Sequence, residues 1–222
     1  MRDNRKTAFY FDAYIAYENE RISKKLNKLE SCNDVNKAGR IYSSLFLYRM
    51  NILIASFSNG AGKDDLERLH EEACSTALSI DKLTYSDALS LSSIAIILNN
   101  FSAIKPVIER FNGEFATDKL LHGLETFIEA GVATWQGEYK FPDVYSGLDA
   151  VILADSKEAK EDKLLSYLTE WYSRCKDCSW YDTHESNNDT YYGYWCFEGA
   201  ALSVIFQLDN AHLSQNEYFP AL

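Results

Sequence analysis

Phe11-Asp12-Ala13-Tyr14-Ile15-Ala16-Tyr17-Glu18-Asn19-Glu20-Arg21-Ile22-Ser23-Lys24-Lys25-Leu26-Asn27-Lys28-Leu29 carries the clearest periodicity in the chain. Phe11, Ile15, Ile22, Leu26 and Leu29 are separated by 4, 7, 4 and 3 residues. That spacing is one face of an α-helix, and lysines and glutamates occupy the other face. The pattern predicts a helix over residues 3–30.

The same pattern continues outward along the chain. A second helix fits Val35–Phe57 and stops at Ser58-Asn59-Gly60, since glycine tolerates the left-handed turn that ends helices. A third follows Lys63, with Asp64, Asp65 and Glu67 in the first turn, where the helix dipole favours negative charge. Thr84-x-x-Asp87 reads as a capping box opening a helix through Leu98. Ser102 caps a short helix that closes at Asn112-Gly113, and Thr117 caps another over Asp118–Trp135. Pro142 opens a segment reaching Leu153. Asp155 or Ser156 caps a charged helix whose core face is Leu164, Leu165, Leu168 and Trp171. The last strong helix is predicted over Tyr191 to Leu208. No stretch alternates with period two, and no fixed-period repeat is present. The expectation is an all-α protein, a multi-helix bundle or short helical stack in two packed subdomains.

Composition narrows the function classes. The 222 residues are 46% apolar and 25% charged, ordinary for a globular chain and against disorder. Lys plus Arg is 22 and Asp plus Glu is 33, a net charge of −11, which opposes binding to nucleic acid through its phosphates. Residues 1–111 hold 15 basic and 14 acidic side chains, whereas residues 112–222 hold 7 and 19. The C-terminal half therefore carries the imbalance and favours basic partners. The subdomain boundary is expected at this charge step, giving 1–114 and an acidic 115–222. The N-terminus lacks the apolar core of a signal peptide. Leu89–Leu98 is the longest apolar stretch and too short for a membrane span. Five cysteines, an odd number, read as reduced thiols in a cytoplasmic protein.

Motifs for chemistry are sparse. Asn59-Gly60-Ala61-Gly62-Lys63-Asp64 lacks the first glycine and final hydroxyl of a phosphate loop and follows a helix, so it reads as a turn. Cys175-Lys176-Asp177-Cys178 is a lone CxxC whose further ligands (His184, Cys196 or His212) match no zinc spacing. No metal or cofactor is expected. Tyr191-Tyr192-Gly193-Tyr194-Trp195-Cys196-Phe197-Glu198-Gly199-Ala200-Ala201 is apolar on most of a helical surface, and Glu198 stands inside its apolar stripe. A carboxylate placed there must be paired or protonated. A structural anchor is the favoured reading; a raised-pKa general acid working with His184 is the alternative.

Two stretches resemble a known family. Trp171-Tyr172 … Lys176-Asp177-Cys178-x-Trp180-Tyr181-Asp182-x-His184, with Tyr191-x-Gly193-Tyr194-Trp195-x-Phe197-Glu198-x-Ala200-Ala201, resembles the C-terminal domain of PoNi immunity proteins. Arg2-Asp3 … Tyr10-Phe11-Asp12-x-Tyr14-Ile15 … Glu18 … Arg21-Ile22 resembles that family's N-terminal helix. The resemblance implies a largely helical, non-enzymatic bacterial immunity protein. Its partner would be a cognate PoNe toxin, a DNase often delivered by type VI secretion. Trp180, His184, Tyr194, Trp195 and Glu198 belong to the motif and are assigned to the fold. Asp143, Asp149, Asp182, Glu185 and Asp189 lie in predicted loops or near helix ends. They are the candidate toxin contacts, because a nuclease must present a basic groove. Immunity to a different toxin class, a helical enzyme using Glu198 and His184, and a scaffold for another basic protein are the alternatives. A homodimer is the oligomer favoured by base rate.

Overall fold

Arg2 and Asp3 donate their backbone N–H groups to Ser58 O at 2.8 and 3.0 Å, so the chain does not enter its first helix at residue 3. The computed structural model describes residues 1–222, the side chain of Glu114 excepted. Helix α1 (Ala8–Glu30) begins where the Thr7 side chain accepts from Tyr10 N. It is followed by α2 (Val35–Asn59), α3 (Lys63–Ala77), α4 (Tyr85–Leu98) and α5 (Phe101–Arg110). Then come α6 (Asn112–Phe115), α7 (Lys119–Ala130), α8 (Pro142–Tyr145), α9 (Asp149–Leu153), α10 (Lys157–Arg174), α11 (Phe197–Ile205) and α12 (Asn210–Leu213). Short 3-10 turns occupy Ser146–Leu148 and Thr183–Glu185. No strand forms among the described residues. The fold is all-α.

The chain divides into two compact units, one of Met1–Thr84 with Asp182–Gly193, the other of Tyr85–Tyr181 with Tyr194–Leu222. In the first unit α2 packs against both α1 and α3, burying Ile41, Leu45, Phe46, Leu53 and Phe57. Its C-terminal carbonyls are satisfied from two directions. Gly60 takes a left-handed φ of 94° and donates to Phe57 O at 3.0 Å. The Arg2 guanidinium donates to Phe57 O and Ala61 O, both at 3.0 Å, placing a cation at the negative end of the helix. The buried face of α1 is Phe11, Tyr14 and Glu18. Leu26, expected on that face, is exposed.

In the second unit α4 is buried nearly all round, which is the signature of a central helix. It packs on α5, α7 and α11. The core face of α10 is Leu164, Tyr167, Leu168 and Trp171, while Leu165 points outward. The Ser156 side chain caps α10 by accepting from Ala159 N at 3.1 Å. Helix α7 is capped by Asp118, not Thr117: Asp118 Oδ1 accepts from Leu120 N and Leu121 N, both at 2.9 Å. That carboxylate also accepts from Tyr85 Oη at 3.3 Å and Lys140 N at 2.8 Å. It is nearly inaccessible to water. Asp118→Ala removes a cap and strands several buried donors, so a loss of about 2–4 kcal/mol in thermal or denaturant unfolding is expected.

The predicted helix from Tyr191 is not formed over its first six residues. Gly193 has a φ of 125°, which a helix excludes. The backbone of Tyr191 is bonded to a side chain instead of to a helical ladder: its N–H donates to Tyr10 Oη at 3.1 Å and its C=O accepts from the same hydroxyl at 2.9 Å. Tyr192 O accepts from Ser58 Oγ at 2.8 Å. Tertiary partners here override the helical preference of the sequence.

Candidate functional site

Within the first unit, α1, α2 and residues 187–192 enclose a cleft of about 830 Å³ open to solvent. Tyr10, Tyr14, Tyr17 and Tyr192 supply much of its wall, and Glu18 and Asn51 its floor. Glu18 is only 1% exposed. Its Oε1 accepts from Arg21 Nη1 at 3.0 Å and from Asn51 Nδ2 at 3.2 Å, and its Oε2 accepts from Arg21 Nη1 at 3.1 Å. The Tyr14 hydroxyl also bonds to this carboxylate; burial first, and then the Glu18 charge, push its pKa well up. The Arg21 guanidinium lies over the Tyr48 ring at 3.8 Å, so both members of the ion pair are held in place.

The 182–193 loop forms the other wall. Tyr191 anchors it by donating its hydroxyl to the buried carboxylate of Asp3, which accepts also from Arg5 N at 2.8 Å. Asp182 sits in the left-handed region at a φ of 56° and opens the Thr183–Glu185 turn. His184 is half-buried, its ring 6.1 Å from that of Tyr191 and its Nε2 3.8 Å from Glu185. Asp182, Glu185 and Asp189 are exposed. The structure therefore brings three of the five candidate acids onto one loop.

The other two belong to the second unit. Asp143 is exposed in α8, and its carbonyl accepts from Arg174 Nη1 at 3.2 Å. Asp149 begins α9 and is already engaged, pairing with Lys119 at 2.7 Å and accepting from Tyr139 Oη at 2.7 Å. Glu198 lies in the same unit, near the start of α11, and is 6% exposed. Its Oε1 accepts from Trp171 Nε1 at 2.6 Å and Tyr167 Oη at 3.3 Å. Burial raises its pKa, opposed by its own backbone N–H, Trp171, Cys196 and Tyr167. Trp180 stacks on Trp171 with ring centroids 5.5 Å apart and lies 5.3 Å from the Tyr194 ring. Tyr194 and Trp195 are buried. Glu198 and His184 fall in different units.

All five cysteines are unbridged. Cys175 ends α10 and hydrogen-bonds to Cys178, whose thiol is brought down to about 7 by that bond. No group of three or more His, Cys, Asp or Glu is arranged to hold a metal among the described residues.

Comparison with known proteins identifies the lineage. Residues 2–108 match the family model of the PoNe immunity protein (PoNi), N-terminal, and residues 116–221 match that of PoNe immunity proteins (PoNi), C-terminal. The chain belongs to the PoNi family. That membership supports an immunity role, with a cognate toxin as binding partner. No protein with a curated description matches the chain. The crystal structure of protein PA2201 from Pseudomonas aeruginosa is similar, with a TM-score of 0.70 and 16% identity, covering 98% of this chain and 88% of that one. At that identity the likeness speaks for the fold.

Within this PoNi chain the buried Glu18–Arg21 pair and the Asp3–Tyr191 bond carried no assigned role in the sequence reading. Glu18 was detectable: it follows Phe11 by seven residues and Tyr14 by four, which places a carboxylate on the apolar face. Asp3 and Tyr191 both stand in the family motifs, but their bond is not legible because 188 residues separate them.

Glu198 gives a pH signature. Its ordinary value is 4.5 and the folded value is higher. As pH rises above about 4.5 the unfolded chain ionises first, so the folded state loses stability until pH passes the raised value. Glu198→Gln removes that dependence. The stability of the variant relative to wild type should rise with pH through this window, by up to about 1.4 kcal/mol per pH unit; parallel unfolding curves at pH 4 and pH 7 would contradict it.

Proposed function

We propose that this protein neutralises a DNase toxin by direct contact, in the cytoplasm, without turning over a substrate. In this reading the toxin is one delivered between competing bacteria by type VI secretion. The observation that carries it is the family match across both halves of the chain. The charge supports the choice of target: residues 112–222 carry 19 acidic against 7 basic side chains, and a DNase must offer a basic surface to its substrate. Complementarity of this kind raises the rate of encounter and sets partner choice more than it sets affinity. No helix among the described residues is long and apolar enough to cross a membrane.

Asp182, Glu185 and Asp189 are exposed on one loop and are the acids proposed to meet a basic groove; Asp143, exposed in α8 of the second unit, is a separate candidate. Asp149 is a poorer probe, since Lys119 and Tyr139 already hold it.

Co-expression tests the function. Where the gene beside this one encodes a toxin domain, a host making that domain should survive, with intact DNA, only when this protein is also made. Protection from a toxin that leaves DNA untouched would point to a different toxin class, and killing that continues despite soluble, folded protein would reject the pairing. For the surface, reversing Asp182, Glu185 and Asp189 together to Lys should slow association about 10-fold or more at low salt and flatten its salt dependence. Unchanged association rates would exclude those acids.

A further inference from the structure

The rim of the tyrosine cleft in the first unit carries exposed apolar side chains. Phe9 is 82% exposed, Tyr17 55% and Leu47 52%, and all three line the same opening. Large apolar side chains gathered at one mouth and bordered by polar groups mark a contact surface. The walls are tied down by hydrogen bonds. Glu18, Arg21 and Asn51 bond to one another at the floor, and two hydrogen bonds between the Tyr10 hydroxyl and the Tyr191 backbone hold the 187–192 side. A preformed site loses little conformational freedom when it is filled.

The chemistry of its occupant follows from charge and ring geometry. Among the lining side chains Glu18 is paired with Arg21, and the exposed Asp189 is the third charged group. Cations already settle on the rings of this face from within the chain. Lys6 Nζ lies 5.3 Å from the Tyr10 centroid, and the Arg21 guanidinium lies 5.4 Å from that of Tyr17. Aromatic faces beside a carboxylate favour a cation with an apolar stem. The volume accommodates several side chains.

We propose that this cleft is the anchoring site for a basic segment of the toxin, with an arginine or lysine of that segment lying against Phe9 and Tyr17 and its charge directed to Asp189. The inference rests on the immunity reading above and assigns the surface that holds the partner once charge has brought it in.

The test measures binding of the neighbouring toxin domain to the full chain by surface-immobilised kinetics. Phe9→Ala, Tyr17→Ala and Leu47→Ala, singly and combined, alter exposed positions, and Val35→Ala, 85% exposed and outside the cleft lining, is the control. The combined variant should dissociate about 100-fold faster, the range of an interface anchor, while the control matches wild type. Phe9→Leu with Tyr17→Leu keeps apolar bulk and removes the ring faces; it should still weaken binding about 10-fold. Thermal unfolding shows whether each variant is folded, and the single substitutions carry the test if the combination is not.

Combined and single Ala variants that bind like wild type overturn the cleft as the anchor and leave the immunity reading standing. Leu variants that bind like wild type overturn the cationic occupant. A wild-type chain that neither binds nor protects against the toxin overturns the immunity reading, and this inference with it.

Discussion

A carboxylate removed from water must be met by donors, and the packing of both units is arranged around that requirement. Asp3 and Glu18 are buried in the first unit, Asp118 and Glu198 in the second. Each ties together pieces of chain that local preference alone leaves apart. Asp3 joins the N-terminal segment to Tyr191, and Glu18 joins α1 to α2 through Asn51. Asp118 joins the start of α7 to Tyr85 of α4 and to Lys140. Glu198 joins α11 to α10 through Trp171 and Tyr167. Leaving one of these donors without its acceptor costs more than the bond itself is worth in water. Packings that leave one of these groups unmet are thereby disfavoured.

The helices were legible because their signals are local. Gly60 ends α2 and Ser156 opens α10 as their chemistry requires, and the period of the apolar residues excluded strands. The largest departure lies where distant partners outbid a local preference. The Tyr191–Cys196 stretch carries an apolar helical pattern, yet Tyr10 and Ser58 take its backbone groups and Gly193 bends it away. Leu26 and Leu165 hold helical register with their neighbours but lie exposed. The bury-facing positions are taken by Tyr14, Glu18 and Tyr167, polar-tipped residues that a hydrophobicity pattern discounts.

The same limit governs the candidate site. Asp182, Glu185 and Asp189 could be picked out as acids in a polar loop, since loop composition is local. The cleft could not. One wall comes from α1 and the other from residues 187–192, so no window of sequence contains both. What the sequence did show was the material: tyrosines at positions 10, 14 and 17, and again at 191 and 192.

Acidic loop and aromatic cleft occupy one unit and answer different physical demands. Charge acts over about a Debye length, roughly 8 Å at physiological ionic strength, and it sorts a basic partner from others before contact. It is also screened, and exposed ion pairs add little to how long a complex lasts. Residence time is governed by anchors that exclude water, and rigid aromatic side chains provide these at low entropic cost. An immunity protein needs both properties, because slow capture and early release each leave its toxin free. Asp189 stands at the junction of the two, exposed on the loop and lining the cleft. In the proposed complex, a basic residue drawn in by the loop would pass from Asp189 to the rings of Phe9 and Tyr17.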